Sequence, residues 1–162
     1  MAKKQNGFSL IELLIVVAII LIIAAIAIPN YWKARMSANE SAAANALRTI
    51  ASAEMTYVSS YPQAGFADLT ALSGASPCTP SAASACLIDN NLATATATPG
   101  KSGYIYSMAT IPGDYVAAAR PVAPSVSGTR TFCATADGVI RTRSTGGVVG
   151  SVPACLALPG ME

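Results

Sequence analysis

Histidine is absent from all 162 residues. That excludes His-based catalytic triads, His-containing metal sites and an imidazole pH switch. Charge is scarce as well. Only 11% of residues are Asp, Glu, Lys or Arg, with ten basic against eight acidic. Nothing in that balance forms an electrostatic footprint for nucleic acid, which is not expected as a partner. Arg130, Arg141 and Arg143 are the only candidate basic cluster, and they read as a solvated strand face. Asp68, Asp89, Asp114 and Asp137 are scattered and lack the spacing of a calcium loop. There is no Gly-rich phosphate loop, and the abundant Ser has no evident activating base. The chain is therefore read as a non-enzyme with no cofactor and no metal. Aromatics make up 6%, too few for a closely stacked conducting array.

What is present is hydrophobicity concentrated at one end. Residues 7–12 read Gly-Phe-Ser-Leu-Ile-Glu, and no charge follows Glu12 until Lys33. Phe8 to Ile28 is 21 residues with one charge. As a helix it would rise about 30 Å, the thickness of a hydrocarbon core. Hydropathy alone leaves three readings open: a membrane anchor, a secretory signal peptide, or a buried core helix. The signal-peptide reading lacks a clear small-x-small cleavage site, the nearest candidate being Ala24-Ala25-Ile26-Ala27. Lys3 and Lys4 precede the run while Lys33 and Arg35 follow it, so flanking charge does not fix orientation.

Four cysteines, at 78, 86, 133 and 155, all lie downstream of the apolar run. An even count there points to two disulfides in an oxidising compartment, which places the C-terminal part outside the cell. Zinc is disfavoured because no CxxC knuckle occurs. Three pairings are possible. Cys78–Cys86 and Cys133–Cys155 are preferred, since each pair brackets a loop-like stretch rich in Ser, Pro and Gly.

The basic leader ending in Gly7, the aromatic Phe8, the lone Glu12 and the apolar run together closely resemble the N-terminus of type IV pilins and the related pseudopilins of type II secretion. The likeness extends from Lys3 to about Tyr61. It implies that a membrane peptidase removes residues 1–7 by cutting after Gly7, and that Phe8 is then N-methylated. It implies that residues 8–28 serve first as a single-pass inner-membrane anchor and then as the core helix of an extracellular pilus. Self-polymerisation, the prepilin peptidase/methyltransferase and an inner-membrane assembly platform are the implied partners. A cleaved Phe8 carries a largely cationic amine, and Glu12 lies about one helical turn away. A neighbour shifted along the filament could pair its Glu12 with that amine, which would select the register. Many family members carry a helix-weakening Gly midway along this run. Here the residues are Ala18-Ile19-Ile20-Leu21-Ile22, so local melting before Pro29 should be harder.

Beyond Pro29, which removes a helical hydrogen bond and should kink or locally open the helix, the pattern turns amphipathic over residues 29–61. Ala43, Leu47, Ile50, Ala53, Tyr57 and Tyr61 form one stripe, and Ser41, Asn45, Arg48, Ser52 and Ser59 face away. Asn39-Glu40-Ser41 matches a glycosylation sequon but is read as chance. Pro62 stops the helix. Residues 62–162 are expected to form a head. In it, a connection over 62–102 with one short helix near Phe66–Leu72 leads to a sheet and disulfide loop over 103–162. Strands are expected at 104–109, 115–120, 130–135 and 139–143, with turns at Pro112-Gly113-Asp114 and Asp137-Gly138. The resulting fold class is α+β: a long N-terminal helix packed on a four-stranded antiparallel sheet and stapled by disulfides.

The leading function is a type IV pilus subunit. The alternatives are a type II secretion pseudopilin, or a minor pilin that binds DNA or a surface ligand. Four cysteines and the lack of an acidic cluster favour the first.

Overall fold

A computed structural model describes residues 8–144 and 146–161. The expected leader, residues 1–7 with its cleavage residue Gly7, lies outside them. The chain divides into two compact units at Arg35/Met36.

The first unit contains the start of helix α1, Leu10–Ser60. Its large apolar side chains up to Ile28 are exposed, from 47% at Val17 to 88% at Phe8. The helix continues through Pro29.

The second unit holds the rest of α1, and there the stripe expected from the sequence is buried. Ala43, Leu47, Ile50, Ala53 and Tyr57 enter one core with Tyr104, Tyr106, Tyr115, Ala117, Ala119, Phe132 and Ala134. Those partners come from a meander of four antiparallel strands in the order β1-β2-β3-β4. They are β1 Tyr104–Ile111, β2 Asp114–Pro121, β3 Thr131–Thr135 and β4 Arg141–Arg143. Ile111 pairs with Asp114, so Pro112 and Gly113 alone form the first turn. Gly113 sits at φ 81°, a left-handed conformation that side chains resist, while Pro112 suits the preceding position.

The second sheet face is covered too. Val116, Ala118 and Cys133 pack against Val149, Val152 and Cys155. The last two belong to the short helix α4, Val152–Leu156, and Cys155 is disulfide-bonded to Cys133. Burial on both faces explains why β2 and β3 show no inside–outside alternation. Three alanines in succession, Ala117–Ala119, are poor strand formers by propensity, but helix and tail packed on opposite faces leave little room for larger residues.

Several boundaries differ from the sequence reading, each for a local reason. The short helix, α2, is confined to Leu69–Leu72 because Asp68 caps it, accepting from the Ala71 N–H. A second helix in the connection, α3 at Asn90–Ala93, was not expected; Asp89 caps it by accepting from the Leu92 N–H. Helix α4 was likewise missed, although Ser151-Val152-Pro153 places a proline in its first turn. The third strand begins at Thr131 rather than Arg130, because the Arg130 N–H donates to Glu40. The fourth begins at Arg141 rather than Val139, because the Val139 N–H turns back to Asp137. The arginines do not form a shared solvated face. Arg130 pairs with Glu40 at 2.7 Å, Arg141 pairs with Asp137 at 2.6 Å, and of the three only Arg143 is exposed without an ion pair among the described residues.

The disulfides, Cys78–Cys86 and Cys133–Cys155, close loops with sequence separations of 8 and 22. Loop-closure entropy makes the longer one the stronger staple, about 3 kcal/mol against about 2.5 kcal/mol. Urea unfolding of the full chain in detergent should show the larger loss for the Cys133→Ser/Cys155→Ser double variant.

Candidate assembly site

The first turn of α1 is built on Ser9. The Ser9 carbonyl accepts the Leu13 N–H at 3.3 Å, and the Ser9 N–H donates to Glu12 Oε2 at 3.1 Å. A carboxylate on the third helical residue reaching back to the residue before the helix is one half of a capping box. It also places negative charge at the positive end of the helix dipole. Glu12 is thus positioned by backbone it can reach itself, and no other charged side chain is within the apolar run. Phe8 lies just before the helix and is the most exposed large apolar residue among the described residues of the unit.

Apolar side chains follow this carboxylate along the helix from Leu13 to Ile28. Residues from Leu10 to Ile28 are exposed throughout except for Ala24, which is partly covered. Among the described residues α1 is the one helix long and apolar enough to cross a membrane. A helix with an apolar stripe buries it against its own chain; one that is apolar all round needs lipid or other protein. The arrangement can bind apolar surroundings strongly, and it offers one directional charge. Tyr31 and Trp32 stack edge-on at 6.0 Å, with the Arg35 guanidinium 5.8 Å from the Trp32 ring. Such an aromatic and basic collar suits a membrane–water boundary.

The family described as the prokaryotic N-terminal methylation motif matches residues 2–28. That match spans Gly7, Phe8, Glu12 and nearly all of the apolar run. Over that stretch the chain carries the N-terminal methylation motif, and its N-terminal third is similar to type IV pilins. The chain is 46% identical over 56 residues to the type IV major pilin protein PilA of Myxococcus xanthus, covering 35% of this chain and 26% of that one. It is 56% identical over 39 residues to the type IV wide pilus major component PilA4 of Thermus thermophilus, covering 24% of this chain and 30% of that one. The chain thus spans between a quarter and a third of the length of these curated relatives. No solved structure matches it.

Pro29 is exposed within α1, and no described element interrupts the helix there. The four cysteines sit in the head and take no part in the N-terminal site. Two residues that the sequence reading passed over also belong to α1: Glu40 and Glu54, both buried. They fall on the stripe 40-43-47-50-54-57, so a search for charges in register with the apolar positions would have found them. Glu40 accepts from the Thr129 N–H, the Thr129 hydroxyl, the Arg130 N–H and Arg130 Nε. Burial raises its pKa, but these donors outweigh it and hold the carboxyl below its ordinary range.

Leu21 occupies the middle of the apolar run of α1, where Gly would cost about 1 kcal/mol in an interior turn. Leu21→Gly should therefore speed amide exchange over residues 18–28 of the micelle-bound chain about fivefold. Exchange followed by NMR checks this.

Proposed function

We propose that the chain is the structural subunit of a type IV pilus, cleaved after Gly7, N-methylated on Phe8 and polymerised through residues 8–28. The observation that carries this reading is the lone Glu12 at the start of an exposed, wholly apolar helix, one turn after the Gly7-Phe8 junction. Before assembly, lipid covers that helix and the cysteine-bearing head lies on the oxidising side of the inner membrane. After assembly, copies of the same helix replace the lipid, and the head is displayed on the extracellular filament. Residues 8–28 and 29–61 are then the anchor and its amphipathic continuation, with Pro29 as the point of bending, and 62–162 is the head.

In the filament the Glu12 carboxylate of one subunit pairs with the Phe8 amine of a neighbour. Two charges that are each costly in an apolar bundle neutralise one another only in the register that brings them together. The prepilin peptidase/methyltransferase and an inner-membrane assembly platform are the accessory partners. A pseudopilin role is less favoured, because the head is stapled by two disulfides and, among the described residues, no three acidic or cysteine side chains gather to hold a metal.

Glu12→Ala should leave membrane insertion intact while removing sheared filaments. Normal filaments from that variant would defeat the pairing mechanism. Gly7→Asp should leave only the full-length precursor on a gel, so a product of mature size would defeat the cleavage assignment. The intact mass of the dominant small protein in sheared filaments should equal Phe8–Glu162 plus one methyl group, less the four hydrogens lost to two disulfides. Finding the processed chain solely in the membrane fraction would instead favour the pseudopilin reading.

A further inference from the structure

Glu54 faces inward from α1 and is 0% exposed. Its Oε2 accepts the Ala67 N–H at 3.1 Å, while Oε1 is buried without a partner. None of the ion pairs described in the head involves it. The titratable groups that face it are Asp68 from the segment before α2, Tyr57 on its own helix and Tyr115 on β2. Asp68 is held ionised by the Thr70 hydroxyl and the Ala71 N–H, which lower its pKa. Burial raises both phenols, with Glu54 itself contributing, so they stay neutral across the physiological range. A charge on Glu54 would thus have one backbone donor, no cation and a carboxylate neighbour.

We propose that Glu54 is a proton-operated latch: when protonated it holds the segment Tyr61–Asp68 closed on α1, and when ionised it releases that segment. The contrast with Glu40 on the same helix supports this. Glu40 has four donors, one of them a guanidinium, and ties the loop before β3 to α1 as a fixed charge. Glu54 has one donor and an orphaned oxygen, so its charged form gains from reaching water. The segment it holds is short; beyond the Ala67 amide its first residue bonds to the Tyr57 carbonyl and stacks on the Tyr57 ring, and near Ala67 it is held by Phe66 packing on Tyr115, ring centroids 5.0 Å apart.

The direction of the pH effect follows from linkage. Burial, with Asp68 adding, pushes the Glu54 pKa from 4.5 to about 7, against the pull of the Ala67 N–H. The closed state therefore binds the proton more tightly than the open one. Closure is favoured at low pH, weakens as pH rises from 4.5 to about 7 and levels off above that.

The test is amide exchange on the full chain in detergent micelles between pH 5.5 and 8.5, corrected for intrinsic rates, with a 13C titration of the Glu54 carboxyl. Protection at Ala67 should fall roughly thirtyfold over that range, mostly below pH 7.5. The amides of Thr129 and Arg130 should hold their protection, and in Glu54→Gln the change at Ala67 should vanish. The proposal is overturned if the Glu54 carboxyl titrates in the ordinary range, if protection at Ala67 is flat in the native chain, or if Ala67 and Thr129 lose protection together. An equal fall in Glu54→Gln would also overturn it. Should that variant fail to fold, the native titration and the Thr129 comparison decide the matter alone.

Discussion

One face of α1 must lie on the sheet, and most of the head follows from that contact. The face is lined by Ala43, Leu47, Ile50 and Tyr57, and the sheet answers with Tyr104, Ala117, Ala119, Phe132 and Ala134. Small residues at the centre of β2 allow close approach. Aromatics on the flanking strands fill what remains, with the Tyr104 and Phe132 rings 6.0 Å apart. The second face of β2 and β3 carries Val116, Ala118 and Cys133, and these apolar residues also call for cover. The C-terminal tail supplies it, and Cys133–Cys155 fixes the tail to the strand it covers. Gly128 shows how tight the fit becomes. A Cβ there would collide with the Tyr104 hydroxyl, which donates to the Arg130 carbonyl.

Two glutamates share that helix face, and their surroundings give them opposite characters. Desolvation acts on both. Around Glu40 a loop turns so that two backbone N–H groups, a hydroxyl and a guanidinium converge on the carboxylate. Hydrogen bonds to the charged form offset the loss of water, and the charge becomes a structural fixture. Around Glu54 a single amide is available. The same residue type, on the same stripe, is therefore a permanent anion in one place and a titrating group in the other. What separates them is the number of donors that the packed loop can present.

How much of this was legible in the sequence follows the range of the interactions. The long helix, its buried stripe and the four-strand meander were readable, because periodicity and turn residues are local signals. Pro112-Gly113 placed the first hairpin correctly. The starts of β3 and β4 were misplaced by one and two residues, and in each case a carboxylate had captured a backbone N–H that a strand would otherwise use. Glu40 lies about 90 residues from the amide it captures at Arg130, so no window along the chain could reveal it. Helices α3 and α4 did carry local signals, Asp89 before Asn90 and Pro153 after Ser151. They went unread because Ala- and Ser-rich composition suggested loop. At the N-terminus Phe8 and Glu12 were legible as residues, and the structure adds the Ser9 contact that fixes how Glu12 is held.

The apolar half of α1 obeys a different rule from the head. Each large apolar side chain gains about 1.5–3 kcal/mol on leaving water, and more than a dozen between Phe8 and Ile28 are exposed. A carboxylate at membrane depth costs about 2.5–3.5 kcal/mol. The first sum exceeds the second several times over, so Glu12 cannot keep the helix out of an apolar environment. Apolar burial is also nearly indifferent to position: sliding one smooth aliphatic helix past another by a turn changes the buried area little. The one charge is small in that total, and under the pairing proposed above it would be large in the difference between registers. Affinity for the apolar phase thus resides in many interchangeable aliphatic side chains, and in the proposed filament Glu12 would supply the preference among registers.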